Sequence, residues 1–78
     1  MTKQEFVEKI KKAKGTVEYS KTSNNADVKV KFTNMSKGKR DWFKLECWDN
    51  RDSDKMEKAW SYQSSFISDI IKEFNESI

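Results

Sequence analysis

The spacing of apolar residues changes period twice along this chain. In the first segment, Phe6, Val7, Ile10 and Ala13 recur at three- and four-residue intervals, which places them on one face of a helix. Thr2 and Glu5 stand at the spacing of a capping box, in which each side chain satisfies a free amide of the first turn. Lys11, Lys12 and Lys14 crowd the end of the segment, where cations complement the helix dipole, and Gly15 is a natural stop. The pattern predicts a helix over residues 3–14.

From residue 16 the period falls to two. In TVEYS, Val17 and Tyr19 share a face, and in DVKVKFT the apolar face is Val28, Val30 and Phe32 against Lys29, Lys31 and Thr33. The polar cluster KTSNN and the basic, glycine-containing NMSKGKR read as turns. RDWFKLECWDN, residues 40–50, reads as a third strand with Phe43, Leu45 and Cys47 facing the core. Three strands joined by short polar turns predict an antiparallel meander.

After DNRDSD a helical period returns. Asp54 and Glu57 have capping-box spacing, and Met56, Ala59, Trp60, Phe66, Ile67, Ile70, Ile71 and Phe74 fall on one broad stripe, interrupted by Gln63. Tyr62 falls at the edge of that stripe. The pattern predicts one helix over residues 55–75. Two helical stripes and one apolar sheet face combine most simply as a two-layer α+β sandwich, order α-β-β-β-α. A three-stranded antiparallel sheet then carries both helices on one face. At 78 residues the chain suits a single domain spanning 1–78.

The third strand carries an anomaly. Its polar face holds Trp42, Lys44, Glu46 and Trp48, and tryptophan is a costly side chain to leave in water. With Glu18, Lys29 and Lys31 on neighbouring strands, these residues describe a contact surface on the uncovered side of the sheet. Trp42 and Trp48 are the candidate anchors, with Lys29, Lys31, Lys44 and Glu46 setting orientation. Lysine stems folded over the rings, or a bulge turning one tryptophan inward, are the competing accounts. Aromatics among lysines suit a single-stranded nucleic acid, whereas acids on the same face suit a protein partner. The mixture favours protein and keeps nucleic acid as the alternative.

Charge sharpens this picture. Residues 1–40 carry eleven Lys/Arg against four acids, and residues 41–78 carry five against nine. KKAK and KGKR thus form a basic half, and such polarity steers encounters with charged partners. Catalysis and metal binding find no support. The chain has no histidine and one cysteine, Cys47, so zinc frameworks, a His base and an internal disulfide are excluded. DNRDSD lacks the glycine and terminal glutamate of a calcium loop. No cofactor motif is present. With no long apolar run and no signal-peptide pattern in MTKQEFVEKIKKAKG, the expectation is a cytoplasmic, non-enzymatic binding protein, a monomer or weak dimer, without membrane contact.

Two resemblances follow. The order helix, three strands, helix is similar to that of double-stranded RNA-binding domains, although DNRDSDKMEKAW opens acidic where that family places phosphate-gripping lysines. MTKQEFVEKIKKAKGTVEYS, running from a lysine- and glutamate-containing helix into a strand, resembles the opening of small phage-encoded anti-CRISPR proteins. That resemblance implies a phage or mobile-element inhibitor of a host machine such as a CRISPR effector, acting by occlusion of its surface.

Overall fold

The computed structural model describes residues 1–22 and 26–78. The elements are α1 (Lys3–Lys12), β1 (Thr16–Thr22), β2 (Asp27–Asn34), β3 (Phe43–Asp49), β4 (Glu57–Ser64) and α2 (Ile67–Ser77). The expected α+β class and antiparallel meander are present, but the sheet has four strands rather than three, in the order β1-β2-β3-β4.

Helix α1 begins as its sequence demands. The Thr2 hydroxyl accepts the Glu5 N–H at 3.1 Å, and the Glu5 carboxylate accepts the Thr2 N–H at 3.3 Å. The helix stops at Lys12, two residues short of the expected end, because Ala13 is extended with ψ 133. This kink lets the Ala13 carbonyl accept from the Asn34 side chain at 3.0 Å, tying the helix exit to β2. Strand β1 continues through Lys21 and Thr22, which the sequence suggested were a turn. The remainder of that expected turn, Ser23 to Asn25, lies outside the described residues.

The expected helix over 55–75 does not form. Its first half is strand β4, and the sheet face offers the reason. Trp60 pairs with Cys47, Tyr62 with Leu45 and Ser64 with Phe43, so Trp60 and Tyr62 extend the inner apolar face with period two. Serine, tryptophan and tyrosine are mediocre helix formers, and aromatic residues gain from packing on a pleated surface. Glu57 opens the strand, so the anticipated Asp54–Glu57 capping box is absent. Gln63 pairs with Lys44 on the outer face, and the polar interruption therefore needs no burial. Two residues after β4, helix α2 starts. The buried Ser64 hydroxyl donates to the Asp69 carboxylate at 2.9 Å and accepts the Phe66 N–H at 3.1 Å, fixing the turn.

The core lies between the inner face of the sheet and both helices. Phe6 and Ile10 from α1 and Ile70 and Phe74 from α2 meet Tyr19, Val30, Phe32, Leu45 and Cys47, all in one buried cluster. Phe6, Tyr19 and Phe74 form an aromatic triangle with centroids 4.9–5.4 Å apart. Both helices therefore share one side of the sheet, and its other face is uncovered. No helix among the described residues is long and apolar enough to cross a membrane.

Candidate binding surface on the open sheet face

Strand register determines what the open face displays. Glu18 stands beside Lys31 and Lys31 beside Glu46, while Lys29 stands beside Trp48 and Trp48 beside Lys58. A row of alternating charge thus runs next to a row built on an indole. On one strand pair the residues would simply alternate, but β4 carries a bulge. Cys47 pairs with Trp60 and Trp48 with Lys58, leaving Ala59 as the extra residue. The bulge re-aims the strand so that Lys58 and Trp60 lie on opposite faces. Without it, Lys58 would turn towards the core.

Lys58 completes the charge network. Its ammonium donates to the Glu46 carboxylate at 2.8 Å and lies 5.9 Å from the centroid of the Trp48 ring. Lys44 approaches the same carboxylate at 3.7 Å, and Lys29 pairs with Glu18 at 3.6 Å. The Lys58 hydrogen bond, aided by the positive charges of Lys44 and Lys31, holds the Glu46 carboxyl below the usual range, against partial burial that pushes it up. Glu46 is therefore an anion at neutral pH, fixed at the centre of a lysine cluster.

The structure separates the two candidate anchors. Trp48 is half-buried at one end of β3, where Glu18, Lys29, Lys31, Trp48 and Met56 enclose a depression of about 300 Å³. Met56, placed on the helical stripe by its spacing, is exposed beside Trp48 instead. Trp42 falls just before β3 rather than within it, and six residues of extended chain put it roughly 20 Å from Trp48. It is 38 % exposed, and its indole N–H donates to Gln63 Oε1 at 2.8 Å. It borders a different hollow of about 320 Å³ with Met35, Lys37 and Arg40. Of the expected site residues, Lys29, Lys31 and Trp48 line one depression, Lys44 and Glu46 lie between the two ends, and Trp42 belongs to the other.

Sequence reasoning missed Lys58 and Met56, because a helical period was assigned to their segment. The signal that could have found them is the alternation of Trp60 and Tyr62 with Ser61 and Gln63. Cys47 is buried, as its position on the apolar face suggested, and burial pushes its thiol pKa up. Among the described residues no group of His, Cys, Asp or Glu side chains is arranged to hold a metal ion. Compared with protein-family models, curated proteins and solved structures, the chain matches none.

Proposed function

We propose that this chain is a non-catalytic binding protein that seats a protein partner on its open sheet face. The observation that carries this reading is the depression around Trp48 and Met56. It has an apolar floor and a rim of both charge signs, supplied by Lys29, Lys31 and Glu18. Aromatic and methionine side chains ringed by polar groups are the composition of protein–protein contact patches. Glu46, locked by Lys58 and Lys44, offers a fixed charge pattern that selects register more than it adds affinity.

The resemblance to small anti-CRISPR proteins gives the reading a specific form, in which the docked face covers a working surface of a host effector nuclease. Affinity capture from lysate of cells that carry the gene, run in parallel with Trp48→Ala and Lys31→Glu, tests the reading. Supporting it requires one protein retained by the native chain and lost from both variants, with each variant still folded. Retention by both variants would move the contact elsewhere and refute this assignment.

A further inference from the structure

The β2–β3 hairpin carries chemistry that differs from that of the Trp48 depression. It runs past the last Asn34–Phe43 pair of the sheet, with Met35 N–H donating to the Trp42 carbonyl at 2.8 Å and Lys37 and Arg40 exchanging two backbone bonds of 3.0 Å. Gly38 has φ 60 and is the only described residue with positive φ. A two-residue loop with glycine first and a negative φ second is a type II′ turn, whose twist matches the strands. At the base, the Asn34 side chain bonds the Ala13 carbonyl and accepts the Ser36 N–H at 3.0 Å. The Ser36 hydroxyl in turn accepts the Trp42 N–H at 3.1 Å. The hairpin is thus braced on both strands, and its indole is pinned by Gln63.

On this frame Lys37, Lys39 and Arg40 make no ion pair among the described residues. No described carboxylate lies within ion-pair distance of them, that of Asp41 beside them in sequence included, whereas Lys29, Lys44 and Lys58 of the sheet face are each paired. Lys37 and Arg40 line the hollow of about 320 Å³ together with Met35 and Trp42. An indole and a thioether side chain beside two unpaired cations, with Lys39 next to them in the turn, fit a ligand with planar rings joined by phosphates. An acidic peptide would satisfy the cations and leave the indole wet. A duplex keeps its base faces stacked inside and presents none to the ring.

The geometry points to a single-stranded nucleic acid bound at this hairpin, one base stacked on Trp42 against Met35 and its flanking phosphates on Lys37, Lys39 and Arg40. This goes beyond the protein contact assigned to the Trp48 depression and uses different residues.

Fluorescence anisotropy of a labelled thymidine strand of about 12 nucleotides tests it, a length within the range such sites cover. With three phosphates neutralised on a single strand, the logarithm of affinity should fall against the logarithm of salt with a slope of about −2. Trp42→Ala should weaken binding about tenfold or more, as expected for one lost stack, and Trp42→Phe should retain most of it. Lys37→Glu and Arg40→Glu, both at exposed positions, should weaken binding and flatten the slope, while Lys72→Ala, exposed on α2, leaves it unchanged. If Trp42→Ala fails to fold, the Phe and Glu variants still decide the matter. Absence of binding at low salt would overturn the assignment. So would a duplex or polyglutamate competing as well as the strand, or affinity indifferent to residue 42.

Discussion

Leu45 and Trp48 sit three residues apart on β3 and point to opposite faces, so truncating each to alanine tests which face holds the fold. Side-chain size alone predicts that losing the indole is worse, because tryptophan buries more area than leucine. Position predicts the reverse. Leu45 is fully buried between Phe32 and Tyr62 on neighbouring strands, and a leucine-to-alanine change there costs about 2–5 kcal/mol including the cavity left behind. Trp48 is half-buried on the open face. Its loss forfeits a cation–π contact with Lys58 worth about 0.5–1 kcal/mol and part of its apolar contact, for about 1–2 kcal/mol together. A domain of this length has about 4–12 kcal/mol to lose. With a urea m-value of about 1 kcal/mol/M, Leu45→Ala should lower the unfolding midpoint by about 2–5 M and Trp48→Ala by about 1–2 M at most. Equilibrium urea unfolding followed by circular dichroism measures both. A larger loss for Trp48→Ala than for Leu45→Ala would put the indole in the core and refute the division of faces.

Two further outcomes follow from the ionisable groups. Burial raises the Cys47 pKa, so its thiol should alkylate at pH 8 more than about tenfold slower in the folded protein than in urea; equal rates would contradict its burial. Because the Glu46 carboxyl is held low by Lys58, its contribution to stability is present above the unfolded value of about 4.3 and disappears as pH falls through the lower folded value. Urea midpoints across that window should decline less in Glu46→Gln than in the native protein, and parallel declines would mean that the lysine cluster adds nothing.

The elements that sequence predicted well are those whose local signals agree with their tertiary surroundings. Helix α1 has a capping box and an apolar stripe, and β2 alternates without exception; neither needed a neighbour to be identified. Residues 57–64 carried two periods at once. Met56, Ala59, Trp60 and Phe66 fit a helix, while Trp60 and Tyr62 fit a strand, and only the vacant edge of β3 decides between them. The bulge at Ala59 deepened the ambiguity, because it shifts the alternation by one residue in the middle of the strand. The same cause hid part of the site. Lys29, Lys31 and Trp48 were legible on the outer face, but Lys58 reaches it from β4 and Met56 from the residue just before β4, in a segment whose apolar spacing reads as a helix. Trp42 was legible as an exposed indole, whereas the hollow it borders depends on the hairpin that brings Met35, Lys37 and Arg40 beside it.

The central claim is that the sheet face opposite the helices is where a partner docks. Placing a photo-crosslinking side chain at Ser20 or Ser61 on the open face, and at Lys9 or Lys72 on the helices, tests it most directly in cells that carry the gene. The account predicts a protein adduct from the open-face positions, lost on adding Trp48→Ala, and none from the helices. Adducts from the helices with none from the sheet would contradict it.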